Sequence, residues 1–218
     1  QEHMASLKED LEVKLGVEVA KLDKNITSFV VEDTAGNVYY AKTVIIASGK
    51  FPRHLGVPGE QELFGKGVAI CATCDAPLYK DKNVAVVGAG NSAMDAICAL
   101  SKVAKQVYVI NMSDDYTGEA IVKDKINSYP NVKAYHSAQI TKISGKDHVE
   151  GITIQPLGKP DEDLAVSGVF VEIGYVPSNN FADLVEKNEH GEIKVDKDLQ
   201  TSVPGIFAAG DINDAWGE

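Results

Sequence analysis

The sequence predicts an α/β fold built around a parallel sheet. Between residues 83 and 137, three short apolar runs typical of buried strands alternate with two amphipathic segments typical of helices. The first of these strands ends in the glycine turn Gly88-Ala89-Gly90, which leads directly into a helix. This β-α-β-α-β order implies a parallel sheet whose crossovers are right-handed.

The part of the chain before this unit is predicted to contain one helix and several strands. Apolar residues recur at helical spacing over residues 3–15, and Gly16 ends the predicted helix. Strands are predicted at 17–23, 26–33 and 38–49, with a turn at 35–37. Residues 50–69 hold two prolines and four glycines, so we interpret them as a connection between domains.

The remaining elements follow from the same patterns. In the parallel unit, the strands are expected at 83–87, 106–112 and 131–137, and the helices at 91–104 and 118–130. Three further apolar runs, at 139–144, 149–156 and 164–173, are predicted to form antiparallel strands that cover this sheet. Short strands are predicted at 192–196 and 205–211.

Composition and charge exclude several classes of function. The 218 residues carry a net charge of −11, which repels phosphate backbones, so a nucleic-acid partner is not expected. No apolar run approaches the roughly 18–20 residues that span a bilayer, and residues 1–15 lack the apolar core of a secretion signal. Three cysteines are too few, and odd in number, for a secreted disulfide scaffold. We therefore expect a cytoplasmic, reducing location.

The glycine turn is the strongest single signal for a ligand. Gly88 permits the tight turn, Gly90 lets a pyrophosphate approach the backbone, and the small Ala93 lets helix and strand pack closely. The helix that starts at Asn91 and Ser92 presents free N–H groups and the positive end of its dipole to phosphate. The turn in this context predicts a dinucleotide site, and the alternative is a tight turn without a ligand.

The end of the second parallel strand indicates which nicotinamide nucleotide is favoured. NAD sites place an acid there for the ribose hydroxyls, and NADP sites place an arginine nearby for the 2′-phosphate. This chain has Asn111 at that point, followed by Asp114 and Asp115, and residues 111–119 contain no basic residue. A 2′-phosphate would meet negative charge, so NADH is favoured over NADPH, with Asp114, Asp115 or Asn111 as the candidate ribose ligand.

The pair Cys71 and Cys74 is interpreted as a redox disulfide. Cys-x-x-Cys spacing lowers the pKa of one thiol and closes a small, reducible ring. A zinc site needs two further ligands, and the five histidines show no ligand spacing, so no metal is expected; zinc and an inert pair remain alternatives. Asp75 is a candidate proton donor to a departing thiolate, or else a cap or turn residue. Cys98 fits a buried small apolar residue.

Four motifs together resemble one family. They are the segments Cys-Ala-Thr-Cys-Asp at 71–75, the glycine turn and helix at 84–96, Thr-Val-Ile-Ile-Ala-Ser-Gly at 43–49 and Gly-Ile-Phe-Ala-Ala-Gly-Asp at 205–211. In this order and spacing they resemble the low-molecular-weight thioredoxin reductases, which include the flavoprotein component of alkyl hydroperoxide reductase. The resemblance covers essentially the whole chain.

The resemblance implies two Rossmann-like nucleotide domains, one inserted into the other. Residues 51–173 would be the NAD(P)-binding insert with the redox cysteines, and residues 1–50 and 174–218 part of an FAD-binding domain. Cys74 would face the flavin and Cys71 would attack the protein substrate, with Asp75 as the acid. The FAD contacts implied by the resemblance are Ser48, Gly49, Gly210 and Asp211.

Two departures from the family pattern qualify the resemblance. The glycine-rich FAD fingerprint expected at the start and the closing C-terminal helix are missing, so the chain is expected to be part of a longer protein. The arginine motif of NADPH-dependent members is replaced by Asn111, Met112, Ser113 and Thr117, which favours NADH or a ferredoxin-driven relative that no longer uses nicotinamide.

The resemblance also implies partners. These are a thioredoxin-like or peroxiredoxin-type protein disulfide as substrate, and a second copy of the chain in a homodimer. A non-catalytic module that binds a nucleotide is the alternative from a different class of function.

Overall fold

The computed structural model describes residues 11–215 as two compact units. Of these residues, those up to Phe51 and those from Val176 onward form the first unit, and Pro52–Tyr175 form the second. The assignment of nucleotides to the two units stays a prediction. No helix in the described range is both long enough and apolar enough to cross a membrane.

The first unit combines an antiparallel sheet with a short parallel pair. The antiparallel sheet contains β1 (Val19–Lys24), β2 (Phe29–Asp33) and β3 (Val38–Ala41). The parallel pair is β4 (Val44–Ile46) with β15 (Ile206–Ala208). Nine buried apolar side chains, among them Phe29, Ile46 and Ile206, form the core of this unit. The chain passes from the first unit to the second at β5 (Lys50–Pro52) and returns at β14 (Tyr175–Pro177).

The second unit has a five-stranded sheet in which every neighbouring pair of strands is parallel. Its strands are β6 (Val68–Ala69), β7 (Asn83–Val87), β8 (Gln106–Ile110), β9 (Val132–Tyr135) and β13 (Gly168–Val171). Its helices are α1 (Ala72–Asp75), α2 (Asn91–Leu100) and α3 (Ala120–Asn127), and a 3₁₀ turn (Ala76–Tyr79) follows α1. The sheet order is β6-β13-β7-β8-β9.

Two layers cover this parallel sheet, one on each face. Val84 and Val86 of β7 pack in the same buried cluster as Ala93, Ile97 and Leu100 of α2. The alternate residues of β7 face a second cluster, which includes the antiparallel meander β10 (Ala138–Ser144), β11 (Gly151–Pro156) and β12 (Glu162–Leu164). A strand buried on both faces must be apolar throughout, which explains the run Val-Ala-Val-Val.

The predicted α/β order is confirmed, but the apolar run 164–173 is not one antiparallel strand. Its first residue ends β12 in the meander, and residues 168–171 form β13, which lies between β6 and β7 in the parallel sheet. This long-range pairing joins residues about eighty positions apart. In the chain this run comes directly after two antiparallel strands. Its apolar pattern fits a third antiparallel strand as well as it fits a central strand of a parallel sheet.

Three smaller predictions also differ from the structure. The helix predicted at 3–15 falls mainly on residues outside the described range, and described residues 11–15 are not helical. Residues 192–196 form only isolated bridges, at Ile193 and Val195. Most of the segment 50–69 packs within the second unit, where the buried Glu60 carboxylate accepts backbone N–H groups from Leu55 (2.9 Å) and Gly56 (2.7 Å).

The glycine turn after β7 depends on close approach to β13. Gly88 has a φ of +138°, and a Cβ there would overlap the carbonyl oxygen of Glu172, which directly follows β13. The same Cβ would lie 3.0 Å from that of Ala93 on α2. Gly90 has an ordinary φ of −80° as the residue that caps α2, and a Cβ there would meet nothing within 4 Å. Of the two glycines in this turn, Gly88 is therefore the one that the fold itself requires.

We expect Gly88→Ala to destabilise the chain by about 2–4 kcal/mol, because it combines a disfavoured backbone conformation with a steric overlap. The matched variant Gly90→Ala is expected to change the free energy of unfolding by less than about 1 kcal/mol, since its backbone is allowed and the space is open. Urea unfolding followed by circular dichroism measures both. Equal losses in the two variants would contradict this account of the turn.

Candidate functional site

Cys71 and Cys74 are joined in a disulfide at the start of α1. Their Cα atoms are 5.4 Å apart, within the range that a disulfide requires. Cys71 caps α1 with extended backbone, and its Sγ accepts the backbone N–H of Cys74 at 3.3 Å. Cys74 is exposed and Cys71 half-buried, so the bond is open to reagents from one side. The spacing therefore produces a closed, accessible ring.

Asp75 is the last residue of α1 and lies next to the disulfide. Its backbone N–H donates to the carbonyl oxygen of Cys71 at 3.2 Å, which closes the single turn of this helix. Its side chain is partly exposed. The Asp75 side chain therefore lies on the same turn as the disulfide and is reached by solvent.

Glu172 is a nearby acid that the sequence analysis did not select. It directly follows β13, and its backbone N–H donates to the carbonyl oxygen of Val87 at 2.8 Å. Its carboxyl is half-buried. Burial raises the pKa of Glu172, and the Ala72 N–H partly opposes that rise. In the sequence, the signal that could have pointed to Glu172 is an acidic residue near the end of the apolar run 164–173.

The glycine turn leads into the N-terminus of α2, and residues of the loop after β8 are hydrogen-bonded to both. The backbone N–H of Thr117 donates to the carbonyl oxygen of Ala89 at 2.9 Å, and that of Glu119 to Asn91 Oδ1 at 2.9 Å. The first N–H groups of a helix have no partner inside it. Since Gly90 leaves space where a side chain would stand, the turn fits the approach of a pyrophosphate.

Asn111, the predicted ribose ligand, points into the protein. It is only 4 % exposed, and its side-chain amide is hydrogen-bonded to Nδ1 of His136 at 3.0 Å. The ring of His136 packs edge-on against Tyr116, with centroids 5.0 Å apart. Burial raises the pKa of Tyr116 to about 12, so this side chain stays neutral. In this arrangement Asn111 supports the loop that follows β8.

The acids of that loop differ in their surroundings. Asp115 forms an ion pair with Lys123 of α3 and accepts the backbone N–H of Tyr116 at 2.8 Å. The hydrogen bond from Lys123, followed by that from Tyr116, lowers the pKa of Asp115. Asp114 is exposed. Lys123 thus brings a cation to the loop, which the local sequence 111–119 did not reveal.

In the first unit, the residues that resemblance assigns to FAD lie side by side. β4 and β15 are paired in parallel, with Ile46 opposite Ala208, so the residues after both strands meet at one edge. Gly49 and Gly210 have positive φ angles, and a Cβ on either would meet nothing within 4 Å. Ser48 Oγ donates to the Ser178 carbonyl oxygen at 2.5 Å, and Asp211 is exposed. These residues fit a polyol or phosphate approaching the backbone.

Among residues 11–215, no group of three or more His, Cys, Asp and Glu side chains is placed to hold a metal ion. Cys98 is a free thiol on α2, half-buried and packed against the helix-side core, as expected for a small apolar residue.

The chain is similar in sequence to known proteins. A family model described as pyridine nucleotide-disulphide oxidoreductase matches residues 2–217. The chain is 38% identical over 207 residues to an alkyl hydroperoxide reductase subunit of Staphylococcus aureus, covering 94% of this chain and 41% of the relative. The corresponding Staphylococcus epidermidis protein is 36% identical over 215 residues, covering 98% and 42%. The chain spans about two fifths of the length of these curated relatives.

The chain is also similar to solved structures of thioredoxin reductases. The crystal structure of T. acidophilum thioredoxin reductase superposes with a TM-score of 0.74 at 35% identity, over 98% of this chain and 72% of that one. Thioredoxin reductase from Giardia duodenalis gives a TM-score of 0.74 at 28% identity, with 98% and 72% covered. On its motifs, its fold and these matches, the chain belongs to the pyridine nucleotide-disulphide oxidoreductase family, in its low-molecular-weight thioredoxin reductase branch.

Proposed function

We propose that this chain carries the redox disulfide and nucleotide sites of a flavin-dependent reductase that acts on a protein disulfide. Electrons pass from NADH through FAD to the Cys71–Cys74 disulfide, and from there to a thioredoxin-like or peroxiredoxin-type protein. The observation that carries the proposal is the accessible Cys71–Cys74 disulfide at the start of α1, in the same unit as the open glycine turn. A reducing, cytoplasmic location and a homodimer belong to the proposal.

The cysteines perform the exchange in two steps. The Cys71 thiolate attacks one sulfur of the partner disulfide, forms a mixed disulfide and releases the partner's other sulfur as a thiolate. Cys74 then attacks the Cys71 sulfur, the Cys71–Cys74 bond closes, and the partner leaves with two thiols. Two electrons move to the partner, and its sulfurs take up two protons. Asp75 lies within the same turn and supplies one of them.

The cofactor sites are assigned to two places in the chain. Gly88, Gly90 and the first turn of α2, with Asn91, Ser92 and Ala93, would hold the nicotinamide nucleotide. For FAD the candidates are Ser48, Gly49, Gly210 and Asp211 at the shared edge of β4 and β15. When bound, FAD supplies the two-electron chemistry that reopens the disulfide with electrons taken from the nicotinamide.

Single-turnover exchange tests the role of the cysteines without any cofactor. The chain is reduced with dithiothreitol, desalted and mixed with oxidised thioredoxin, and thioredoxin thiols are counted by alkylation. Cys71→Ser should abolish transfer, because one thiol cannot release the partner as a dithiol. Cys98→Ser, the matched control, should transfer at the rate of the unmodified chain.

The two cysteines should also differ from each other in this assay. With Cys74→Ser, the remaining Cys71 is expected to trap a mixed disulfide with thioredoxin. Transfer of two thiols by Cys71→Ser, or no transfer by the unmodified chain, would contradict the proposed division of roles.

Binding of nicotinamide nucleotides tests the donor. We expect NADH to bind the chain at least about threefold more tightly than NADPH, since exposed Asp114 and the absence of arginine at 112, 113 and 117 disfavour a 2′-phosphate. Gly90→Ala should weaken NADH binding by about tenfold or more, because its methyl group enters the phosphate cradle. Calorimetric titration measures both effects.

The outcomes separate the rival functions. If neither nucleotide binds, a ferredoxin-driven reductase without nicotinamide replaces the proposal. Binding of NADH by a chain whose cysteines do not exchange would instead favour a non-catalytic nucleotide-binding module. Tighter binding of NADPH would overturn the assignment of NADH as the donor.

A further inference from the structure

Four exposed lysines gather where two loops of the second unit meet. One loop follows the 3₁₀ turn after α1 and leads into β7, and the other joins α2 to β8. The backbone N–H of Asp81 donates to the carbonyl oxygen of Val103 at 2.9 Å. A second backbone bond of 2.9 Å runs from the N–H of Lys105 to the carbonyl oxygen of Lys82. We call the four exposed residues Lys80, Lys82, Lys102 and Lys105 the lysine patch.

The lysine patch is opposite in sign to the chain as a whole. Within residues 80–83 and 101–105, four lysines and one aspartate give a charge of +3, whereas the whole chain carries −11. Among residues 11–215, no carboxylate forms an ion pair with any lysine of the patch. The C-terminus of α2 favours a nearby cation, which accounts for Lys102 but not for the lysines of the other loop. The patch therefore presents uncompensated positive charge to solvent.

Tyr79 connects the lysine patch to the helix that carries the disulfide. It ends the 3₁₀ turn that follows α1, and its buried ring packs edge-on against Phe170 of β13, with centroids 5.1 Å apart. The Lys82 ammonium group lies over the same ring, 5.6 Å from its centroid. At about 2 Å per residue in a 3₁₀ turn, the chain advances roughly 12 Å from exposed Cys74 to Lys80. The disulfide and the patch thus lie close together on the surface of one unit.

A protein that exchanges with this disulfide covers more than the two sulfurs. A standard interface buries about 800 Å² of each partner, an area roughly 30 Å across. A partner disulfide that meets the Cys71–Cys74 site therefore brings the surrounding partner surface to the lysine patch. Carboxylates on that surface are attracted to the patch, and lysines are repelled.

We propose that the lysine patch is a docking surface for an acidic face of the protein disulfide that the chain reduces. The patch speeds encounter and orients the partner, and it takes no part in the exchange of sulfurs. This proposal rests on the proposed redox function and adds the chemistry of the partner, which is a cluster of carboxylates beside its disulfide.

Exchange with charged disulfide peptides tests the docking surface. Each peptide contains an oxidised Cys-Gly-Gly-Cys ring flanked on both sides by six glutamates, six glutamines or six lysines, and six extended residues reach roughly 20 Å. The chain is reduced with dithiothreitol, desalted and mixed with one peptide, and the reduced peptide is quantified by chromatography after acid quenching.

The docking surface predicts a definite order of rates. At about 20 mM salt, the glutamate peptide should react about tenfold faster than the glutamine peptide, and the lysine peptide should react more slowly than either. An overall charge of −11 without a local docking surface would give the reverse order. At about 0.5 M salt the differences should disappear, because screening then acts within a few ångströms.

Two double variants separate the patch from net charge. Lys82→Glu/Lys105→Glu should bring the rate of the glutamate peptide to within about twofold of the glutamine peptide. The matched control, Lys146→Glu/Lys159→Glu, changes the net charge equally on exposed loops of the meander, which covers the other face of the sheet, and should keep the preference. Both variants should reduce the glutamine peptide at the parent rate, which also reports that they are folded.

A single variant covers the case in which the patch double variant fails to fold. Lys102→Glu leaves the contact between Lys82 and Tyr79 in place and should reduce the preference for the glutamate peptide about threefold.

The outcomes distinguish the docking surface from the redox function. Equal rates with all three peptides, or a preference for the lysine peptide, would overturn the docking surface and leave the redox function intact. An equal loss of preference in the two double variants would also overturn it, because net charge would then explain the preference. A parent that reduces neither the peptides nor thioredoxin would overturn both.

Discussion

The close approach of Gly88 to the end of β13 is the constraint on which the rest of the second unit depends. β13 lies between β6 and β7, and its last residues pass so near the glycine turn that a single Cβ at Gly88 would overlap the Glu172 carbonyl. This contact fixes where β7 ends and α2 begins. It therefore sets the position of the open N-terminus that fits phosphate.

The second unit combines a closely packed parallel sheet with an exposed disulfide on a short helix. Val84, Val86 and Val169 are fully buried, and such close packing leaves little freedom to shift. The disulfide lies instead on the four-residue helix α1, where Cys74 is exposed. A redox bond must open and meet a partner, so it belongs on a short surface element carried by a well-packed sheet. The proposed exchange with a partner disulfide depends on this placement.

Local sequence patterns predicted most of this framework, and long-range pairing explains what they missed. The apolar run that forms β7, the glycine turn and the amphipathic helix after it were recognisable because each depends on neighbouring residues. The central place of β13 depends on pairing with β7 some eighty residues earlier, which no local period encodes. The ion pair of Asp115 with Lys123 likewise requires the fold to be known. The inward direction of Asn111 was hidden for the same reason, since its partner His136 follows a different strand.

The central claim is that the sulfurs of Cys71 and Cys74 cycle reversibly between a bond and two thiols. Equilibration of the chain in dithiothreitol buffers of graded redox potential, followed by alkylation and mass spectrometry, tests this most directly. We expect one labelled cysteine, Cys98, under oxidising conditions and three under reducing conditions, with a single two-electron transition that retraces on reoxidation. Three labelled cysteines throughout, or two that become labelled only after a metal chelator is added, would contradict it.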